Sequence, residues 1–416
     1  MHRSRRSAAL LGAAALAGSL VTGNSPASGA AEATTYVVLA TEAATVDAVV
    51  AAVEAAGGEV SNVNRAIGLV TATSSDAAFT ESVTAETEVA GVARNSPIGS
   101  APDQAEHRRD AVEKEGRAEG VAAGPRQAQG DDVAADPLSS YQWDMQMLDA
   151  TPEGSYSEQR GRAGVLVGII DTGVDGTHPD IAPNFSLELS RNFTTDIPLV
   201  DGPCEDEADG SCEDAADVDE SGHGTHVAGT IGAAINGIGM AGVAPDVTLV
   251  NLRAGQDSGY FFLSATVDAL TYAGDNGIDV VNMSFYIDPW LYNCRSNPAD
   301  SPEEQLEQAT IIDATQRALT YARNHGVTLV AALGNEHQDL GAAVKTDAIS
   351  PDFPPGAERT REVTNDCLDL PTEGDGVIAV SAVGPSGKKA DFSNHGLEQN
   401  DVAAPGGYFR DFIGTP

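Results

Sequence analysis

Continuous apolar segments separated by helical segments constrain the fold of this chain more than any other sequence feature. Segments that are apolar at nearly every position are typical of strands covered on both faces. Strands that alternate with helices form a mostly parallel sheet with helices on both faces. The sequence therefore predicts a three-layer α/β domain over residues 137–416, with functional residues at the carboxyl ends of its strands. The predicted strands are residues 165–170, 247–252, 278–283, 327–333 and 377–383, and the predicted helices are residues 261–274 and 301–326.

A second, smaller set of elements precedes that domain. Residues 36–39, 67–72 and 89–93 are predicted strands, and residues 76–87 are a predicted helix. Between them, valines recur at the i, i+3, i+4, i+7 spacing of one helix face; they are Val46, Val49, Val50 and Val53. This order of strands and helices predicts a small α+β, ferredoxin-like domain over residues 34–100.

The first 30 residues have the three parts of a secretory signal peptide. Arg3, Arg5 and Arg6 form a basic start, residues 8–21 are mostly apolar, and residues 27–30 are small. The apolar part is too short to span a bilayer, which disfavours a membrane anchor. We therefore expect a secreted, extracellular protein.

Residues 101–136 are rich in alanine, glycine and mixed charge, which predicts an exposed linker.

The charge of the chain limits its partners. The sequence has 23 basic and 62 acidic residues, a formal net charge of -39. Such a charge repels phosphate backbones and anionic lipids, so nucleic acid and membrane partners are not expected.

The cysteines are expected to form disulfides, because the chain is predicted to be exported and their number is even. Cys204, Cys212, Cys294 and Cys367 allow three connectivities. Nearest pairing gives Cys204–Cys212 and Cys294–Cys367, and each bridge would tie down an irregular loop. Zinc binding is disfavoured because no Cys-x-x-Cys pair occurs.

Aspartate, histidine and asparagine motifs lie where the predicted topology places functional residues. Asp171 follows the first strand of the large domain, and His223 opens a helix of small residues that can pack close to the sheet. A buried aspartate beside a histidine fixes the ring's tautomer and stabilises the imidazolium that forms in general-base catalysis. Asn335 follows another predicted strand, where its amide can face a developing oxyanion.

The motifs around Asp171 and His223, in this order, resemble those of the subtilases, which are subtilisin-like serine proteases. The resemblance implies that Asp171 orients His223, that His223 is the general base, and that Asn335 belongs to the oxyanion hole. It implies that protein or peptide substrates are cleaved without a cofactor, and that residues 34–100 are an inhibitory propeptide that binds the catalytic domain. It also implies substrate-binding roles for Arg253, Gly255, Asn282, Met283, Ser284 and Gly334.

The nucleophile of this family is expected beyond the sequence. Residues 392–394 and 403–406 resemble the segments that precede it, but the Gly-Thr-Ser-Met-Ala helix start is not among the 416 residues. Pro416 stands after Gly414 and Thr415, where the serine would be. We therefore expect a catalytic domain that is incomplete at its C-terminus and a 416-residue chain that is inactive. The alternative is a catalytically inactive pseudoprotease that binds peptides.

Other interpretations of the same residues remain open. Asp171-Thr172-Gly173 and Asp257-Ser258-Gly259 both resemble aspartic protease motifs, although the α/β pattern disfavours that class. His223 and His226 are spaced as a metal pair on a helix, but no third ligand stands at a recognisable spacing. Metal ligands are therefore unassigned, and structural calcium in the acidic segment 205–220 is one interpretation of its charge.

We predict two cuts during maturation: one near Ala30 and one within the linker before Pro137. The small residues before the first site and the low complexity of the linker are the reasons. N-terminal sequencing of secreted material checks both positions. A mature N-terminus within residues 165–170 would contradict the division into domains, because that segment is expected to be a buried strand.

Overall fold

The computed structural model describes residues 33–95, 97–100, 135–198, 200–206, 210–286, 289–352 and 356–408. The predicted signal peptide, nearly all of the predicted linker, and residues 414–416 lie outside the described residues. Within the described ranges, no helix combines the length and the apolar character needed to cross a membrane.

The first domain is an antiparallel four-stranded sheet with two helices. Its elements are β1 Thr34–Ala40, α1 Val46–Ala55, β2 Glu59–Asn64, β3 Leu69–Ser74, α2 Phe79–Thr84 and β4 Val89–Arg94. The strand order is β2-β3-β1-β4, the βαββαβ arrangement of a ferredoxin-like domain. Val49 and Val53 of α1 pack with Val38 and Val70 of the sheet, as the valine spacing predicts.

Strand β2 is not predicted by the sequence analysis. Its residues Glu59–Asn64 are mostly polar, and only Asn64 among them is buried. It is an edge strand, bonded only to β3 within its sheet. An edge strand with one solvated side needs no apolar pattern, so the sequence carries little signal for it.

The second domain is built on a seven-stranded parallel sheet. The remaining elements of the chain are β5 Pro97–Ser100, α3 Trp143–Met147, α4 Ser155–Glu158, β6 Leu166–Ile170, β7 Arg191–Asn192, α5 His223–Gly232, β8 Thr248–Arg253, β9 Tyr260–Phe262, α6 Leu263–Asp275, β10 Val280–Met283, β11 Asn293–Cys294, α7 Pro302–Asn324, β12 Thr328–Ala332, β13 Val344–Asp347, β14 Arg361–Thr364, β15 Cys367–Leu368, β16 Val377–Val383 and β17 Val402–Pro405. The order of the large sheet is β17-β16-β12-β10-β6-β8-β7, and all of its pairs are parallel.

Helices cover both faces of this sheet, which confirms the predicted three-layer α/β architecture. Val167 and Ile169 of β6 pack on the side of α5, whereas Ile170 packs on the side of α6 and α7. Helix α7 begins with the predicted capping box, in which Ser301 and Glu304 bond to each other's backbone N–H. The predicted start of α6 is wrong by two residues, because Phe261 and Phe262 extend β9 before the helix begins.

One half of the sheet is covered on a single face in the described part of the chain. Val330 pairs with Ile378, and Val380 pairs with Val402, so these four side chains share a face. Ile378 is 37% exposed and Val402 is 49% exposed, whereas their neighbours on the opposite face, such as Leu329, are buried. This open apolar surface spans β12, β16 and β17.

Two disulfides close irregular loops, with the pairing that the sequence analysis favoured. Cys204 bonds Cys212 across 8 residues, and Cys294 bonds Cys367 across 73 residues. The second bridge joins β11 to β15, and both of its cysteines are buried.

We predict that replacing Cys294 and Cys367 with alanine destabilises the protein more than replacing Cys204 and Cys212. A cross-link that closes a longer loop removes more entropy from the unfolded chain, and the two loop lengths imply a difference of about 2 kcal/mol. Urea unfolding of the two double variants measures it. A larger loss for the Cys204–Cys212 variant would contradict the prediction.

Candidate active site

The carboxyl edge of the parallel sheet brings together three side chains that the sequence analysis singled out. Asp171 directly follows β6, His223 is the first residue of α5, and Asn335 lies three residues beyond β12. Strands β6 and β12 flank β10 in the sheet, so their carboxyl ends are close together. The topology therefore gathers these residues from distant parts of the sequence at one edge, as parallel sheets do.

Asp171 and His223 form the centre of this site. Asp171 is fully buried, and its Oδ1 lies 2.7 Å from Nδ1 of His223. The same oxygen accepts a hydrogen bond from the backbone N–H of Thr172 at 2.8 Å. The His223 side chain remains 23% exposed, and its only hydrogen bond within the described residues is the one to Asp171. The buried acid therefore orients a ring that is still partly open to solvent.

Glycines let α5 approach the loop after β6 closely enough for this bond. A Cβ atom at Gly224 would collide with the carbonyl oxygen of Gly173 and would lie 3.0 Å from Cβ of Asp171. The N–H of Gly224 instead donates to Oγ1 of Thr172 at 3.2 Å. The small residues around His223 thus act as the sequence predicts, by allowing backbone to lie against backbone.

The charges around His223 favour its protonated form. Burial lowers the pKa of His223, but the hydrogen bond and charge of Asp171, with the charge of Asp219, outweigh burial and raise it above its ordinary value. A histidine whose pKa is raised takes up a proton more readily, and this is the property that a general base needs.

The family follows from a comparison over the same segment. A family model described as the Subtilase family matches residues 162–415, which include Asp171, His223 and Asn335. The chain belongs to the subtilase family. It is therefore a member of a family of subtilisin-like serine proteases, whose catalysis requires no cofactor.

Individual subtilases resemble the chain over part of its length. The chain is 32% identical over 244 residues to subtilisin DY of Bacillus licheniformis, a match that covers 59% of this chain and 65% of that protein. The nisin leader peptidase of Lactococcus lactis is 28% identical with a TM-score of 0.50, covering 66% of this chain and 70% of the other. The epidermin leader peptide processing serine protease of Staphylococcus aureus has the same fold, with a TM-score of 0.63, 22% identity and coverage of 91% and 76%.

Asn335 of this subtilase lies in a turn that Asn394 holds. Asn394 is fully buried. Its Nδ2 donates to the carbonyl of Leu333 and to Glu336, and its Oδ1 accepts from the N–H groups of Glu336 and Gln338. The side-chain amide of Asn335 makes no hydrogen bond to other described residues. The amide is thus available on a turn whose backbone is fixed. The sequence analysis placed Asn394 only in a segment that precedes the nucleophile and did not find this contact.

The predicted substrate-binding residues next to β10 lie at the expected edge. Asn282 donates from Nδ2 to Oγ of Ser284 at 2.7 Å, just where the strand ends. Met283 is fully buried in the core, so only its backbone can reach a bound peptide. Gly334 adopts a φ of 100°, a left-handed conformation that favours glycine, directly before Asn335.

Arg253 ends β8 and Gly255 follows it by two residues, and the contacts of both are with the protein itself. Arg253 is fully buried, its carbonyl accepts from Phe193 N–H, and its guanidinium contacts three aspartates. These are Asp196 at 2.7 Å, Asp257 at 3.0 Å and Asp214. Gly255 lies beneath the ring of Phe261 and donates its N–H to the carbonyl of Asp171. The substrate-binding role of these two residues stays a prediction.

This aspartate cluster is also the one group of potential metal ligands that the described residues form. Arg253 already serves as its counter-ion. Structural calcium in the acidic segment 205–220 stays a prediction. His226 is exposed, and within the described ranges neither His223 nor His226 belongs to a group of three or more potential metal ligands. Asp257 forms an ion pair with Arg253. The parallel α/β fold also contradicts the aspartic protease interpretation.

The sequence analysis did not predict strand β9, which pairs with the extended segment β5 of the small domain. Strand β9 pairs antiparallel with β5, with Pro97 opposite Phe262 and Ser100 opposite Tyr260. The predicted substrate-binding residues Arg253 and Gly255 both precede β9 in the sequence. Phe261 stacks on Phe285, with ring centroids 4.1 Å apart, and this contact anchors β9 beside the end of β10. The aromatic run after Gly259 was the available signal, but it also fits the start of a helix.

We predict that Gly224→Ala destabilises the protein by about 1–3 kcal/mol, because its methyl group forces α5 away from the loop after β6. Gly229→Ala in the same helix is the matched control. A Cβ there meets only Ile181, at 4.0 Å, so the variant should gain up to about 1 kcal/mol from helix propensity. Urea unfolding compares them. Equal stabilities would contradict the close packing at Gly224.

Proposed function

We propose that this chain is the precursor of a secreted serine endopeptidase, in which Asp171 and His223 are two members of an Asp-His-Ser triad. The observation that carries the proposal is the 2.7 Å hydrogen bond between buried Asp171 and His223 at the carboxyl edge of the sheet. The signal-like start of the sequence and the two disulfides support export.

The proposed chemistry assigns one role to each residue. His223 accepts the proton of the attacking serine hydroxyl through Nε2 and later returns it to the leaving amine. Asp171 keeps Nδ1 protonated and stabilises the imidazolium. Asn335 donates from its amide to the oxyanion of the tetrahedral intermediate. The substrate is a protein or peptide. Two structural neighbours are named as proteases of leader peptides, and a leader peptide is one example of this substrate class.

We propose that the serine belongs to a helix that follows Pro416. The apolar surface on β12, β16 and β17 supports this idea, because among the described residues Ile378 and Val402 stay partly exposed on one shared face of the sheet. This surface adjoins Asn335, which follows β12.

We propose that residues 34–100 form the inhibitory propeptide, within a precursor divided into signal (1–30), propeptide, linker (101–136) and catalytic domain (137–416). Two kinds of contact support this role. Arg317 of α7 donates to the carbonyls of Ala40 and Ile67, which docks the small domain on the helices. Strand β5 then adds to β9, as an extended substrate would.

A peptide-binding pseudoprotease is the second candidate. The pairing of β5 with β9 favours it, since this contact needs no nucleophile. The intact Asp171–His223 bond favours the enzyme, because an abandoned active site has no reason to keep a buried acid on a histidine.

We predict that a fluorophosphonate probe does not label the 416-residue chain and labels a version extended through a downstream Gly-Thr-Ser segment. The probe reacts only with an activated serine, and His223 provides that activation. Labelling followed by peptide mass spectrometry identifies the residue.

In the extended protein, His223→Ala should reduce the labelling rate roughly a thousandfold or more. His325→Ala, at the exposed end of α7, is the control and should label like the parent. Labelling of the 416-residue chain at a single serine would overturn the assignment of the nucleophile. An extended protein that resists labelling would favour the pseudoprotease.

A further inference from the structure

Asp219 has a carboxylate whose hydrogen-bonding capacity is fully used. Its Oδ1 accepts from Gly222 N–H at 2.9 Å and from Thr172 Oγ1 at 3.0 Å. Its Oδ2 accepts from the N–H and the hydroxyl of Thr225, at 2.8 and 2.6 Å. Four donors on one carboxylate fill the positions that its two oxygens offer. Water is enough to satisfy an exposed acid in a loop, so the four protein donors on Asp219 indicate that this carboxylate has a structural role.

These partners lie on both sides of the Asp171–His223 bond. Thr172 is the neighbour of Asp171 in the loop after β6, whereas Gly222 and Thr225 flank His223 at the start of α5. Thr225 also binds that loop directly, because its Oγ1 accepts from Asp175 N–H at 2.8 Å. Asp219 is therefore the carboxylate through which the helix start and the aspartate loop are joined.

The position of Asp219 also matters electrostatically. His223 is the first residue of α5, where the positive end of the helix dipole disfavours an imidazolium ion. The ionisable groups whose charge acts on the ring are Asp171, in the loop after β6, and Asp219, in the loop before α5. A carboxylate at this helix end offsets the dipole, and its bonds to Gly222 and Thr225 occupy N–H groups of the first turn.

We propose that Asp219 is a positioning residue that holds His223 against Asp171 and offsets the positive end of helix α5. The inference rests on the proposed function only in taking His223 as the general base. It adds a second acid to the site: Asp171 touches the ring directly, and Asp219 acts through Thr172, Gly222 and Thr225.

The test is a pH titration of the His223 ring by NMR in the 416-residue chain, which needs no nucleophile. Asp219→Asn keeps the size of the side chain and removes its charge, and we expect it to lower the pKa of His223. Glu220→Gln is the matched control: it removes the adjacent, exposed charge and should shift the pKa by less than about a third as much.

Asp219→Ala removes every acceptor, so the His223 Nδ1 proton should exchange with solvent at least about tenfold faster than in the parent. Circular dichroism checks that each variant is folded, and Asp219→Asn carries the test if the alanine variant is not. An unchanged His223 pKa in folded Asp219→Asn would overturn the inference, as would equal shifts in Asp219→Asn and Glu220→Gln. A parent protein whose His223 pKa is not raised would instead contradict the proposed catalytic pair.

Discussion

The close contact between helix α5 and the loop after β6 is the constraint on which the rest of the site depends. His223 and Asp171 are 52 residues apart in sequence, and their bond forms only because Gly224 lets the two backbones touch. Once that contact exists, Thr172, Thr225 and Asp219 find their partners across it. Glycine at the interface therefore sets the distance, and hydrogen bonds then determine the orientation.

Carboxylates have two kinds of partner at this edge of the sheet. Asp196, Asp214 and Asp257 converge on Arg253, and the resulting ion-pair cluster joins the acidic segment to the loop before β9. Asp171 has only a histidine and a backbone N–H as partners. The guanidinium of Arg253 stays protonated, so the first group has a permanent cationic partner, whereas an imidazole leaves Asp171 a partner that gains and loses a proton near neutral pH. The first arrangement suits structure and the second suits acid–base chemistry.

The parallel sheet explains why the small domain and the site meet. Strand β9 follows the carboxyl end of β8, and β5 pairs with it in antiparallel orientation. The helices that support the sheet from one side, α6 and α7, are also the surface on which the small domain docks through Arg317 and Asn64. Burial of one face of those helices against the sheet thus leaves the other face to bind the domain that precedes it.

The sequence by itself determined the layered α/β fold, the bounds of β16 to the residue, the positions of Asp171 and His223, and the capping of α7. These features depend on local patterns: apolar runs, cap residues, and glycines beside a functional side chain. Only the tertiary structure decided that β2 is an edge strand, that Arg253 is an internal counter-ion, and that Asp219 and Asn394 secure the site. Each of those roles depends on partners that are distant in sequence or in space, and a polar residue looks the same in sequence whether water or the protein satisfies it.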